Sequence, residues 1–250
     1  MVATAARTRL GWHLATVVET RPESADAATV VFEIPGWPGH RAGQHVDVRL
    51  TAEDGYSATR SYSIASPPEE ELVAITVESL PDGEVSPYLV EDVLAGDQLE
   101  LRGPVGGYFV WEAALGGPLQ LIGGGSGLVP LMAMLRHHQA TGSDELVRLL
   151  YSVRTPEDAL FGAELDALAA ASNNIEVVRT YTRRAPEGWT GHTRRIDADL
   201  LREVAYPASE QPLVYVCGPT ALVEGVAERL VEQGHDPARV RTERFGPTGR

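Results

Sequence analysis

Four short stretches of the 250-residue chain carry groups suited to chemistry. Arg60-Ser61-Tyr62-Ser63 offers a cation, a flat aromatic face and hydroxyls on one strand-like segment. That set suits a ligand with both phosphates and a planar ring. Gly123-Gly124-Gly125-Ser126-Gly127-Leu128-Val129-Pro130 follows an apolar run and opens a helical pattern. Glycines there let the backbone approach a pyrophosphate, and helix N-terminal amides favour its charge. Cys217-Gly218-Pro219 ends the apolar run Val214–Val216, the place where open α/β sheets hold ligands. Glu243-Arg244-Phe245 adds a carboxylate and an aromatic ring near the end of the chain. All 21 basic residues are arginine, so a phosphate site must use arginine, backbone amides or hydroxyls.

Two kinds of unit must position these groups. From Trp12 to Leu101 the apolar runs are short and strand-like, separated by Pro and Gly: Ala15–Glu19, Thr29–Ile34, His45–Leu50, Thr59–Ala65, Val73–Ser79 and Gln98–Leu101. Val46, Val48 and Leu50 alternate with polar residues, the mark of a half-buried strand. Six such strands predict a closed antiparallel barrel, interrupted by one helix over Ser86–Leu94 with Ser86 as N-cap and Pro87 at its first position. From Leu119 strands and helices alternate. Strands are expected at Leu119–Ile122, Leu146–Val153, Ile175–Tyr181 and Leu213–Val216, and helices at Leu128–Gln139, Pro156–Ala170, Asp197–Val204 and Thr220–Gln233. Thr155 should cap the second helix, and Gly234 should end the last. This half reads as a doubly wound parallel α/β sheet. A Gly- and Pro-rich stretch, Glu112–Pro118, places the boundary so that residues 1–114 form the first domain and 115–250 the second.

Composition removes several function classes. Net charge is −14, which disfavours nucleic acid as a partner. No run approaches the ~20 apolar residues that span a bilayer, and Met1–Leu10 lacks an apolar signal core, so a cytoplasmic protein is expected. One cysteine, Cys217, excludes an internal disulfide and any four-cysteine iron–sulfur or zinc site. Neighbouring His137 and His138 fall on different faces of a helix and make no metal pair, while His13, His40, His192 and His235 read as surface residues. No metal site is expected.

In this order and at these intervals the four motifs resemble the ferredoxin–NADP reductase superfamily, and the resemblance runs from about Trp12 to Thr248. It implies an FAD-dependent oxidoreductase passing hydride from NAD(P)H to the flavin and single electrons onward to a protein such as a ferredoxin or an oxygenase component. Many relatives carry a fused iron–sulfur domain, and with Cys217 alone this chain is expected to lack one. Arg60 would contact flavin phosphate, Tyr62 would stack on the ring, and Ser63 would lie near its reactive N5. Strand alternation sets Tyr62 and Ser63 on opposite faces unless the strand bends around the ring. Gly83 to Ser86 would offer free amides and a hydroxyl to a pyrophosphate, which favours FAD over FMN. Gly43-Gln44-His45-Val46 is similar to the family's strand entry, with Ala42 in place of its proline. Gly124, Gly125, Ser126, Gly127 and Pro130 would hold the nicotinamide dinucleotide together with Gly218 and Pro219; the proline replacing the last glycine of Gly-x-Gly-x-x-Gly is the superfamily's own form. Cys217 would abut the nicotinamide, Glu243 would lie by the reaction centre, and Phe245 would cover the flavin, followed by the bacterial Gly246-Pro247. Ser63, Cys217 and Glu243 are thus the catalytic candidates. Phe245 as plain core is the alternative.

The choice of nicotinamide rests on arginine. Ser152 and Arg154 end the second strand of the sheet and Arg183 follows the third, positions that suit a 2′-phosphate and favour NADP(H) over NAD(H). An acidic protein docking an acidic acceptor needs a local basic patch, from Arg7, Arg9, Arg41 and Arg60 or from Arg183, Arg184, Arg194 and Arg195. Two rivals stay open: a reductase that releases free reduced flavin, and a non-catalytic module on this fold.

Overall fold

The computed structural model describes residues 10–245. Its first unit follows from period-two burial. Strands β1 (Trp12–Ser24), β2 (Ala27–Glu33), β3 (His45–Thr51), β4 (Ser57–Ser63), β5 (Val73–Glu78) and β6 (Gln98–Val105) form one antiparallel sheet in the order β4-β3-β6-β1-β2-β5. Its two outer strands meet through the Ile64–Ile75 bridge and an Ala65 amide donating to the Ala74 carbonyl at 2.7 Å. The sheet therefore closes into a barrel without long free edges. Phe32, Ile64, Ile75 and Leu101 fill it, all fully buried, and each is worth roughly 1.5–3 kcal/mol of transfer free energy.

The helix expected over Ser86–Leu94 is shorter and differently started. Tyr88–Asp92 winds as a π-helix, preceded by Pro87, and Leu89 drops from it into the barrel core. Ser86 does not cap it; its hydroxyl instead accepts from the Leu80 amide at 3.1 Å.

In the second unit β7 (Leu119–Gly124), β8 (Val147–Val153), β9 (Ile175–Tyr181), β10 (Leu213–Pro219) and β11 (Val240–Phe245) run parallel in the order β11-β10-β7-β8-β9. Helices α1 (Leu128–Ala140), α2 (Gly162–Ala171), α3 (Ala198–Val204) and α4 (Thr220–Glu232) cover both faces. Adjacent strand residues show this. Leu121, Leu149 and Tyr215 share one core with α1 and α2, whereas Ile122, Leu150 and Val216 share another with α3 and α4. Strand order reverses between β7 and β10, so the loops following those strands diverge and leave a crevice.

Two expectations about this unit are corrected. The helix expected over Pro156–Ala170 is split into a short turn, Pro156–Asp158, and α2, because Phe161 adopts a left-handed φ of 52° between them. The edge strand β11 was not anticipated as a strand at all.

The units are joined by more than the connecting segment. Trp111 is fully buried, bridges to Ala42 of the barrel, and sets its indole against two imidazoles of α1, His137 at 5.4 Å edge-on and His138 at 6.0 Å stacked. Arg136 of α1 donates to the Ala65 carbonyl at 2.7 Å, and His137 Nδ1 lies 2.7 Å from Glu69. His40 and His235, expected on the surface, are buried; His40 reaches the Ser66 carbonyl at 3.0 Å.

Candidate active site at the seam of barrel and sheet

The parallel ladder between β10 and β11 gathers the C-terminal candidates. Cys217 pairs with Glu243, Gly218 with Arg244 and Pro219 with Phe245. Two motifs some 25 residues apart in sequence thus become neighbours at the carboxyl end of the sheet. Cys217 is fully buried, and that burial pushes its thiol well above the ordinary value, with Glu243 adding to the effect. It is a neutral contact group, not a nucleophile. Phe245 is half-buried against the sheet's core.

Burial also raises the Glu243 carboxyl to about 7. Its Oε1 lies 3.9 Å from His45 Nδ1, across the seam between the units. His45 is paired in register with Ser63, and burial lowers its own pKa. The hydroxyl of Ser63 and Oε2 of Glu243 are both buried without a hydrogen-bond partner among the described residues. Two polar atoms left so, one on each unit beside the same imidazole, fit a polar ring system held between them.

Strand β4 does not bend at its end. Tyr62 lies opposite Val46 and half-buries itself against the barrel core, while Ser63 turns to the His45 side. Desolvation pushes the Tyr62 phenol to about 12, so it stays neutral. Arg60 shares the Tyr62 face, two residues away. Its guanidinium binds the carboxylate of Glu84, which brings Arg60 onto the Gly83–Ser86 segment.

That segment corrects part of the sequence reading. The Gly83 amide is not free, since it donates to the Leu80 carbonyl at 2.8 Å, and the Ser86 hydroxyl serves the Leu80 amide. The amides of Glu84 and Val85 take part in no hydrogen bond among the described residues. An anion at this turn would meet those two amides and Arg60.

On the other side of the seam a cleft of about 690 Å³ opens over Gly124, Gly125, Ser126, Ser152, Arg154 and Pro219. The turn Gly125–Gly127 leads directly into α1, whose first amides are capped by no side chain. Gly218, at φ 147°, passes so near Gly124 that a methyl group there would touch its carbonyl oxygen at 3.0 Å. Pro130 is buried within the first turn of α1 and supports the loop from behind. A dinucleotide pyrophosphate fits this crevice, at the switch of strand order.

The arginines are more committed than the sequence suggested. Arg154 donates to Asp158 at 3.1 Å and stands 3.7 Å from Glu78 of the barrel. Ser152 is buried beside it. Arg183 is exposed and does not line the cleft; Arg195 and Arg229 do. Arg41, Arg60, Arg184 and Arg194 are paired with Glu112, Glu84, Glu157 and Glu203, which offsets part of the charge of both arginine groups. Arg7, Arg9, Gly246 and Pro247 lie outside the described residues. Among the described residues, no cluster of His, Cys, Asp and Glu could hold a metal ion, and no helix is long and apolar enough to cross a membrane.

Sequence reasoning gave His45 and Glu84 no role. His45 stood inside a noted motif, Gly43–Val46, but nothing local shows that it faces a carboxylate 198 residues away.

Comparison with known proteins matches both units. Residues 14–110 match the oxidoreductase FAD-binding domain family and residues 121–228 the oxidoreductase NAD-binding domain family. The chain is 32% identical over 243 residues to the glycine betaine monooxygenase reductase subunit of Chromohalobacter salexigens, covering 95% of this chain. It spans 65% of that relative's length. Among solved structures, the FAD/NAD-binding domain of nitric oxide dioxygenase from Vibrio cholerae superposes with a TM-score of 0.84 at 26% identity, covering 96% of this chain and all of that one. A ferredoxin NADP+ reductase from Neisseria gonorrhoeae, with FAD and NADP bound, shares the fold at a TM-score of 0.80 and 20% identity, over 95% of this chain and 99% of that one.

Proposed function

Because the chain belongs to the ferredoxin–NADP reductase superfamily, we propose that it is an FAD-dependent NAD(P)H oxidoreductase serving a protein acceptor, a ferredoxin or an oxygenase component, in the cytoplasm. Residues 1–114 form the flavin domain in this reading and 115–250 the nicotinamide domain, a division that falls between the two matched stretches. The observation that carries the proposal is the pair of unpartnered buried atoms, Ser63 Oγ and Glu243 Oε2, facing one seam from two domains.

Bound FAD would supply the conversion of a two-electron hydride into single electrons. The chain's own residues do the rest. Arg60 and the Glu84 and Val85 amides hold phosphate, Tyr62 supports the ring, and Ser63 donates or accepts a hydrogen bond at its edge. Glu243, with a pKa of about 7, can hold or release a proton there near neutral pH. Cys217 gives a small uncharged wall for the nicotinamide, and Gly124–Gly127 with Gly218 seat its pyrophosphate. Phe245, paired with Pro219, covers the flavin side of the seam.

NADPH is the preferred donor in this proposal, with Ser152 and Arg154 receiving the 2′-phosphate and Arg183 nearby. Arg154 must then exchange part of its carboxylate contact for phosphate. The deciding experiment is identification of the flavin released from purified protein, together with its reduction by NADPH and NADH under rapid mixing. FAD recovered in near-stoichiometric amount and reduced by NADPH supports the proposal. A colourless protein that oxidises neither nucleotide overturns it, and weak flavin retention with turnover of added free flavin makes it a flavin-releasing reductase.

A further inference from the structure

Two residues upstream of Cys217 and Glu243 lies a second cross-strand pair, Tyr215 opposite Arg241. Alternate residues of a strand share a face, so the two pairs lie on one side of the sheet. Tyr215 and Arg241 meet the segment that joins the two units. The Tyr215 hydroxyl donates to the Val110 carbonyl at 2.7 Å. Arg241 Nη1 donates to the same oxygen at 2.6 Å and to the Tyr215 hydroxyl at 3.1 Å. The three polar atoms close a triangle in which every bond has a donor and an acceptor. Tyr215 is fully buried, and desolvation pushes its phenol to about 12, so it stays a neutral donor. The Phe109 ring stands edge-on to it at 5.3 Å.

Val110 is in turn held to the barrel on both sides. The Trp111 amide donates to the Ala42 carbonyl at 3.1 Å, and a methyl group on Gly43 would stand 2.0 Å from the Phe109 carbonyl oxygen. Gly43 comes two residues before His45, whose register partner is Ser63. A short path of close contacts thus runs from Cys217 and Glu243 back to Tyr215 and Arg241. It crosses Val110 and continues from Gly43 to His45 and Ser63.

We propose that Tyr215 and Arg241 are positioning residues that clamp the Val110 carbonyl and so set the width of the seam between the Cys217–Glu243 and His45–Ser63 pairs. The proposal rests on the flavin and nicotinamide reading and adds to it what fixes the spacing of the two rings. Both side chains end on Val110, so they act through the backbone rather than on a cofactor. Transfer between two bound rings is sensitive to such spacing, because a misplacement of about 1 Å can cost on the order of a hundredfold in rate.

Tyr215→Phe keeps the ring and removes only the hydroxyl, Arg241→Met removes the cation, and Arg241→Lys returns one donor. Rapid mixing of flavin-loaded protein with NADPH or NADH separates nucleotide Kd from the limiting rate of flavin reduction. The double variant Tyr215→Phe/Arg241→Met should reduce its flavin about tenfold more slowly, with nucleotide Kd and flavin content within about twofold of wild type. Arg241→Lys should keep most of the wild-type rate. If the double variant loses its flavin, Tyr215→Phe alone is read in the same way. A second readout needs no cofactor. In flavin-free protein, native-state labelling of Cys217 by an aromatic disulfide should be about fivefold faster in Tyr215→Phe, the factor by which one lost hydrogen bond of ordinary strength favours local opening. A lower Tm with either rate unchanged would make the triangle plain structure, and a Kd that weakens as much as the rate falls would make it part of the binding wall. Either result overturns the proposal and leaves the flavin reading standing. Wild-type protein whose flavin neither nucleotide reduces overturns that reading, while the labelling rates still decide the clamp.

Discussion

Gly127 lies against Cys217 so closely that a methyl group on its Cα would stand 2.3 Å from the Cys217 carbonyl oxygen. The glycine turn after β7 and the strand end of β10 are therefore built as one piece. The turn and the cysteine cannot shift independently.

Gly127→Ala should accordingly destabilise the fold by about 1–3 kcal/mol, since backbone, not a flexible side chain, must give way. Differential scanning calorimetry checks this against Gly162→Ala. Neither glycine has a positive φ, and at Gly162 nothing stands within 4 Å of the would-be methyl. A Gly127 variant losing no more stability than the Gly162 variant would show that the contact relaxes freely.

Glu243 makes stability depend on pH. A carboxyl whose folded pKa lies above its unfolded value holds its proton more tightly in the folded chain. Its contribution is fully present below about 4.5 and is lost as pH rises through about 7. Flavin-free wild type should therefore lose on the order of 2 kcal/mol relative to Glu243→Gln between pH 4.5 and 8. Denaturant titrations of both proteins at the two pH values measure the difference, and parallel pH curves would contradict it.

Much of this arrangement is written in the sequence. The alternation of Val46 with Val48, the glycine run after an apolar strand, and Thr220–Gln233 closed by Gly234 each encode a local structure, and each is found within one or two residues. What fails is context. Val240–Phe245 is charged at Arg241, Glu243 and Arg244, so its strand character comes from pairing with β10 rather than from its own pattern. At Phe161 the left-handed backbone breaks the helix, and its ring packs into the core cluster and under the Arg136 guanidinium, at 4.9 Å, contacts that no local pattern announces. Likewise Ser86 has the form of an N-cap, but the turn at Leu80 claims its hydroxyl. The meeting of Ser63, His45 and Glu243 is tertiary throughout and leaves no local trace.

Cys217 should resist thiol reagents in the native protein, because burial both hides the sulfur and keeps it protonated. Labelling with an aromatic disulfide at pH 8 is expected only after denaturation, with one equivalent released. In the same position Cys217→Ala should slow flavin reduction by the nicotinamide more than it lowers flavin content. An unchanged reduction rate with a lower Tm would make the residue plain core.

Arg154→Ala should lower kcat/KM for NADPH on the order of tenfold and leave NADH nearly unaffected, since a 2′-phosphate contact exists only for the former. Steady-state rates with both donors decide it. Equal losses would mean that Arg154 serves chiefly to tie Asp158 to Glu78 across the two domains.

The indole of Trp111 makes the junction between barrel and sheet optically visible. It sits on the connection, sealed from solvent, with two imidazoles of the opposite domain in ring contact. Indole emission depends on its immediate surroundings, and a change of tilt between the domains would alter both ring distances together. Of the four tryptophans, this one is placed so that its emission would report such a tilt, with no dye attached.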